Sequence, residues 1–485
     1  MKKETTMRHV LANTTFIIGL LLLIAFSHGM AQSRSDTSAL GSWQGILDAG
    51  GSKLRIVFHV MKIDSSQFGA TLDSPDQGAT GIPVSKVSIM DDSIIFVVAV
   101  VGGRYEGKLS GEKNSIIGVW KQMGAVLSLK LDKSKSMIEI KRPQEPKPPF
   151  SYRAEDVLYE NTAEGVKLAG TLTLPHSGGP FPVALLITGS GAQDRNEALF
   201  GHKPFLVIAD YLTKRGIAVL RVDDRGVGGS TGMTSNSTSA NFVTDVIAGI
   251  QFLKKRTDID KNKIGLIGHS EGGMIAPMAA AQSNDIAFIV MLSGPGLRGD
   301  EIIEQQVASI EHANGVPADK IKKDVEFRKK LHALLKSGKD SSAIAADVRD
   351  YLNSTVSQWG AEFQKSGTDP EKSINDQMKT LLSPWFRYFL SYDPRPALIE
   401  VRCPVLAMGG SLDMQVEAET NLKEIGDVLK KSGNKDYTTK FLPGLNHLFQ
   451  HAKTGSPGEY GQIEETIAPE ALKILGDWIT ERVSK

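Results

Sequence analysis

The sequence is poor in cysteine: Cys403 is the only one among 485 residues. An internal disulfide and any zinc site built from cysteine pairs are thereby excluded. Charge of one sign is also missing. Lysine and arginine number 56 against 55 aspartates and glutamates, a formal net charge of +1, with no long basic or acidic run. That removes the electrostatic case for nucleic-acid binding, which needs clustered basic surface. No His-Glu-x-x-His accompanies the late pair His447 and His451, so the helical zinc-site pattern is absent. The apolar run Thr15 to Phe26 is too short for a comfortable membrane span.

That run has another reading. Lys2, Lys3 and Arg8 precede it, and Gly29-Met30-Ala31 sets small residues before a cut ahead of Gln32. These are the three parts of a secretory signal, expected over residues 1–31. An uncleaved anchor is the competing reading. No cysteine stands at the cut, so no lipid attachment is expected. The mature chain is expected to be secreted or periplasmic, with no membrane span once the signal is removed. Export without disulfides suits a bacterial envelope, where a large core stabilises the fold. Cys403 itself sits in Val-Arg-Cys-Pro-Val-Leu and reads as a small buried hydrophobe at the start of a strand.

The length predicts two to four folding units. Residues 37–140 read as an all-β domain: Leu54 to Val60 and Ile94 to Val100 are rich in β-branched residues, and Gly, Asp and Ser punctuate them. Gly41-Ser42-Trp43 opens the region and Gly118-Val119-Trp120 echoes it. A Gly-x-Trp at this position resembles lipocalin-like barrels, where the Trp plugs one end. An aromatic packing in a β core is the other reading. Residues 141–150 (KRPQEPKPPF) hold four prolines and form a linker. From 151 to 485 strands and helices alternate, the pattern of a largely parallel sheet. Val183 to Ile187, Ile217 to Val222, Ile264 to Ile267, Ala287 to Leu292, Pro404 to Met408 and Thr438 to Leu442 read as strands. The rhythm stops over about 298–396, where Ile321, Val325, Leu331 and Leu335 recur at roughly helical spacing. This is a helical insertion. Its Trp385 to Leu390 segment carries aromatics suited to shaping an acyl pocket or to packing on the body.

The sharpest motif is Gly268-His269-Ser270-Glu271-Gly272. It follows a buried strand and precedes a helix of small residues, the context of a nucleophile elbow. The alternative is a tight turn with an exposed serine. A serine nucleophile needs a base, and in this fold class the order is serine, acid, histidine. His447 stands just after the last strand and is the expected base, with His451 as the alternative. Asp413 follows the preceding strand and would orient the imidazole; capping a helix near Val416 is its other reading, and Glu417 and Glu419 are weaker acids. Two backbone N–H groups should form the oxyanion hole, those of Ser190 and Glu271, with Gly191 as a substitute for Ser190. Arg225 in Asp223-Asp224-Arg225-Gly226 is expected to tie loops together, and His202 to lie on the surface beside a helix.

Gly189-Ser190-Gly191-Ala192-Gln193-Asp194-Arg195, Gly201-His202-Lys203-Pro204-Phe205, Asp223 to Ser230, the elbow and Asn446-His447 stand in that order. Together they resemble the bacterial α/β-hydrolases grouped with serine aminopeptidase-like proteins, the EstD-type carboxylesterases in particular. The β domain before the linker is similar too. The family often has His or Ala where this chain has Thr188. The resemblance implies an α/β-hydrolase fold with a helical cap, preceded by the small all-β, lipocalin-like domain. It implies Ser270, Asp413 and His447 as a catalytic triad, small-molecule esters of short acyl chains as substrates, and no metal or organic cofactor. A serine peptidase or aminopeptidase is the second reading, and a non-enzymatic ligand- or wall-binding protein the third.

Overall fold

The computed structural model describes residues 37–48, 53–63, 68–77, 79–122, 125–134, 141–313, 315–366 and 370–484. The expected signal over 1–31 lies outside them. The chain forms two compact units. One holds the described residues through Lys141, with 315–316 and 345–380; the other holds Arg142–Ala313, Pro317–Ile344 and Leu381–Lys485.

In the first unit nine strands follow one another: β1 Gly41–Asp48, β2 Lys53–Lys62, β3 Phe68–Ser74, β4 Ala79–Pro83, β5 Lys86–Met90, β6 Ser93–Val98, β7 Gly103–Leu109, β8 Ser115–Gln122 and β9 Ala125–Ser134. All are antiparallel neighbours, in the order β4-β3-β2-β1-β9-β8-β7-β6-β5. The all-β expectation holds, and the sheet is a curled half-barrel whose edge strands β4 and β5 are not paired with each other. Alternation places one face inside. Trp43, Phe58, Phe96, Tyr105 and Trp120 fill that face. Phe58 and Phe96 stack with ring centres 4.4 Å apart. Trp43 donates its indole N–H to the Ala39 carbonyl at 2.7 Å, so its polar end is satisfied in the core.

The second unit is built on an eight-stranded sheet. Its elements run β10 Arg153–Asn161, β11 Val166–Leu174, β12 Phe181–Ile187, α1 Pro204–Thr213, β13 Ala218–Val222, α2 Ser239–Lys254, β14 Ile259–His269, α3 Glu271–Ala280 and β15 Phe288–Leu292. The insertion follows as α4 Gly299–Ala313, α5 Ala318–Leu335, α6 Ser341–Ser366, α7 Pro370–Leu381, α8 Pro384–Ser391 and α9 Arg395–Glu400, of which α6 from Ala345 on and α7 through Thr380 belong to the first unit. The chain closes with β16 Val405–Gly410, α10 Ala418–Lys431, β17 Tyr437–Leu442 and α11 Pro469–Val483. The strand order is β10-β11-β13-β12-β14-β15-β16-β17. From β13 to β17 every pairing is parallel, while β10, β11 and β13 pair antiparallel. Helices cover both faces. Val183, Leu185 and Ile187 of β12 join one core layer, and Ala184 and Leu186 join the other. Burial on both faces explains the unbroken apolar run of this strand. Cys403 packs partly buried against the first of these layers, and burial pushes its thiol up to about 12.

Candidate active site

The parallel strands deliver the site at their carboxyl ends. Ser270 occupies the turn between β14 and α3 with φ +54° and ψ −117°. A non-glycine residue rarely adopts this conformation, and strain of this kind concentrates at functional sites. Its N–H donates to the Leu292 carbonyl of β15 at 2.8 Å, and its carbonyl accepts from Gly273 N at 2.9 Å. The flanking glycines are required by close approach. A Cβ on Gly268 would meet the Gly272 carbonyl oxygen at 1.9 Å, and one on Gly272 would meet the Ile187 carbonyl oxygen at 2.1 Å. The turn leaves Ser270 half-exposed at the head of α3.

His447 lies in the loop after β17 and Asp413 in the loop after β16. The structure brings the two together: His447 Nδ1 donates to Asp413 Oδ2 at 2.8 Å and to Oδ1 at 3.0 Å. Both are buried. Asp413 Oδ1 also accepts from Gln415 N and Val416 N, each at 2.9 Å. One carboxylate thus holds the His447 ring and closes the turn at Gln415 and Val416. The helix near it, α10, is capped instead by Glu417, whose side chain accepts from Glu419 N and Thr420 N. Among the described residues, no hydrogen bond joins the Ser270 hydroxyl to His447, and His447 Nε2 is left without a partner. Hydrogen bonds of this kind often tighten only when substrate is bound. His451 is elsewhere: it is exposed and paired with Glu465 at 2.9 Å and Glu470 at 2.8 Å.

The loop after β12 runs beside the elbow. A Cβ on Gly189 would stand 3.3 Å from Ser270 Cβ. Gly189 N–H is already committed, donating to Glu197 Oε1 at 2.7 Å. The N–H groups of Ser190 and Glu271 make no hydrogen bond among the described residues. Glu271 opens α3, where backbone N–H groups have no partner within the helix. Its side chain turns back into the protein and is buried. It accepts from Ser239 Oγ at 2.5 Å and from Trp385 Nε1 at 2.9 and 3.0 Å. Burial raises the pKa of this carboxyl, against the hydrogen bonds from Ser239, Trp385 and Ser190. Trp385 belongs to α8 of the insertion, so the aromatic segment reaches the residue next to Ser270.

The same loop is held from below. Thr188 Oγ1 donates to Asp224 Oδ1 at 2.7 Å and Gln193 N to Oδ2 at 2.8 Å. Asp224 is pushed up to about 8 by burial, and by the neighbouring Glu271 and Glu197 carboxyls, against those two hydrogen bonds. Thr188, Gly189, Asp224, Phe242, Glu271 and Ile275 contribute to the wall of a cavity of about 50 Å³. Arg225 ties loops as expected: it donates to Asp245 at 2.5 and 2.9 Å, to Glu164 at 3.1 Å and to the Asn241 carbonyl at 2.9 Å. His202 departs from expectation. It is fully buried, with Nδ1 3.0 Å from Thr466 Oγ1 and Nε2 2.9 Å from the Tyr460 carbonyl. Burial lowers its pKa to about 4, helped by the Arg142 charge. The loop leading into α1 folds inward, which its helix-flanking position did not disclose.

Two contributors escaped the sequence reading. Glu197 is buried and meets His269 Nδ1 at 2.9 Å; nothing in its spacing marks it. Trp385 was visible as an aromatic, but its hydrogen bond to Glu271 spans 114 positions. Among the described residues no group of three His, Cys, Asp or Glu is placed to hold a metal, and no helix is long and apolar enough to cross a membrane.

A parallel sheet wrapped by helices, with a strained serine at a strand-to-helix turn, defines an α/β-hydrolase. The chain belongs to the family described as serine aminopeptidase, S33, whose pattern matches residues 204–452. It is 26% identical over 335 residues to esterase EstD of Thermotoga maritima, covering 67% of this chain and 68% of that one. Among solved structures, it is similar to Est1E from Butyrivibrio proteoclasticus with ferulic acid bound (17% identity, TM-score 0.40, 68% of this chain and 100% of that one). It is also similar to the Pyrococcus furiosus esterase Pf2001 (16% identity, TM-score 0.42, 71% and 98%). The protein is an α/β-hydrolase of this family.

Proposed function

We propose that the protein cleaves carboxylic esters of short acyl chains through an acyl-enzyme on Ser270, with His447 as base and Asp413 as its orienting acid. The observation that carries this reading is the Asp413–His447 pair, buried and doubly hydrogen-bonded. With Nδ1–H committed to the carboxylate, the neutral ring presents Nε2 as its basic nitrogen. His447 takes the Ser270 proton there as the oxygen attacks the ester carbonyl. The N–H groups of Ser190 and Glu271 receive the developing oxyanion. The histidine returns the proton to the leaving alcohol, and water then releases the acyl group by the same route.

Two features favour esters over N-terminal amines. The similarity to EstD is to a named esterase. Of the insertion carboxylates Glu301, Glu304, Glu311 and Glu326, the first two are paired, with Arg395 at 3.7 Å and Lys329 at 3.8 Å, and burial pushes Glu311 up to about 8, so these three do not stand as free anions for a substrate ammonium. A panel of p-nitrophenyl esters of rising chain length beside aminoacyl anilides tests this directly. Turnover should be highest on the shortest esters; faster turnover of anilides would establish the peptidase reading instead. Export is part of the proposal, and the mature protein from an expressing cell envelope should begin at Gln32 on N-terminal sequencing.

A further inference from the structure

His269 precedes the nucleophile in sequence, and the proposed mechanism does not use it. It is buried at the end of β14, and both of its ring nitrogens face acceptors. Nε2 lies 3.0 Å from the His447 carbonyl oxygen, which has no proton to give. Nε2 therefore carries a hydrogen. Nδ1 lies 2.9 Å from Glu197 Oε1. Read as a carboxylate, Glu197 accepts at this one oxygen from both the Gly189 N–H, at 2.7 Å, and Nδ1. Nδ1 then carries a hydrogen as well, and a ring donating at both nitrogens is an imidazolium.

Glu197 carries several costs at once. It is 1% exposed, it is a non-glycine residue at φ +51°, and its Oε2 is buried without a hydrogen-bond partner among the described residues. A buried ion pair gives little net stability once desolvation is counted, and left-handed backbone adds strain. Such features persist where geometry is needed. The pair joins three segments: the oxyanion loop through Gly189 N–H, the elbow through His269 itself, and the base loop through the His447 carbonyl.

We propose that Glu197 and His269 form a buried carboxylate–imidazolium pair that positions the His447 backbone and the Gly189 loop relative to Ser270. Both are positioning residues; the inference rests on the reading of Ser270 and His447 as the reacting groups. Burial works against the imidazolium, but the adjoining Glu197 charge and hydrogen bond, the His447 carbonyl and the more distant Asp413 charge together hold the His269 pKa above its ordinary value. The rings of His269 and His447 have centres 4.9 Å apart, so the backbone carbonyl that His269 holds belongs to the residue whose ring it flanks.

The test uses the intact enzyme with ring-15N-labelled histidine at about pH 8, where an unperturbed imidazole is neutral. Both His269 nitrogens are expected to be protonated, with their signals identified by loss in His269→Gln. A deprotonated Nδ1 overturns the proposal. Kinetics give a second readout. Glu197→Gln and His269→Gln should each lower kcat about tenfold or more with KM changed less than about threefold, and the double variant should lose little beyond the worse single one. Variants that lose only Tm, with kcat within about twofold of the parent, overturn it equally. If His269→Gln does not fold, the Glu197→Gln spectrum identifies the signal by its shift and its kcat carries the kinetic test. Fluorophosphonate labelling of the parent enzyme separates the two readings: an unlabelled Ser270 removes the esterase reading, whereas the protonation state of His269 stands or falls by its own spectrum.

Discussion

Asp413 holds the His447 ring on both of its oxygens and caps its own turn through two backbone N–H groups. Asp413→Asn keeps the shape but offers an amide N–H where Nδ1–H must be accepted. The ring then turns the wrong tautomer to the serine, and kcat should fall by about 10³–10⁴ with a much smaller change in KM, measured by steady-state ester hydrolysis. Asp224 gives a pH-dependent outcome. Its folded pKa, about 8, lies above its value in an unfolded chain. Between those values the folded state keeps a proton that the unfolded state releases, so stability falls as pH rises through that window and levels off above about 8. Asp224→Asn cannot ionise. The Tm difference between Asp224→Asn and the parent should therefore move in favour of the variant from about pH 5 to about pH 8; a constant difference would show that Asp224 is ionised throughout. At this scale Asp413 and His447 were legible because chain order and strand ends place them. Glu197 was not, because its partners Gly189, His269 and His447 are assembled only by the fold.

Elements differ in how plainly they announce themselves. Strands β12, β13, β15 and β16 and the second half of β14 read as apolar runs because they are buried on both faces. The hairpin β10–β11 did not, since β10 is largely exposed and rich in charge (Arg-Ala-Glu-Asp-Val-Leu-Tyr-Glu-Asn). An antiparallel edge shows only one apolar face, and charge masks it. The half-barrel offers a second lesson. Ser42 Oγ lies 2.8 Å from His59 Nδ1, and His59 Nε2 lies 2.8 Å from Asp73 Oδ2, in a row across β1, β2 and β3. The residue types of the active site recur there without its turn: Ser42 sits within a strand, with no helix N-terminus behind it. Context, more than composition, singled out Ser270. Two outcomes belong to elements. Trp385→Phe on α8 removes the indole donor from the buried Glu271 carboxyl, and denaturant unfolding should show a loss of about 1–3 kcal/mol. Phe58→Ala on β2 empties the centre of the half-barrel and should cost about 3–5 kcal/mol by the same measurement.

Across the whole molecule, the catalytic reading depends on loops from four strands, β12, β14, β16 and β17, meeting at one end of a single sheet. The order of motifs along the chain anticipated that convergence, because a parallel sheet returns every strand in the same direction and gathers its carboxyl ends. What order alone could not supply was the closeness of contact: the Glu271 carboxyl tied to Trp385, and the loop carbonyl of His447 tied to the residue before the nucleophile. The central claim is that this convergence makes Ser270 the acyl-bearing atom's owner. Peptide mapping after fluorophosphonate treatment, with p-nitrophenyl acetate turnover followed in the same samples, tests it most directly. The expected result is one label per chain on Ser270, loss of turnover in step with labelling, and a fall in kcat of about 10⁶ in Ser270→Ala. Full turnover by Ser270→Ala, or a label on another residue that tracks the loss of activity, would contradict it.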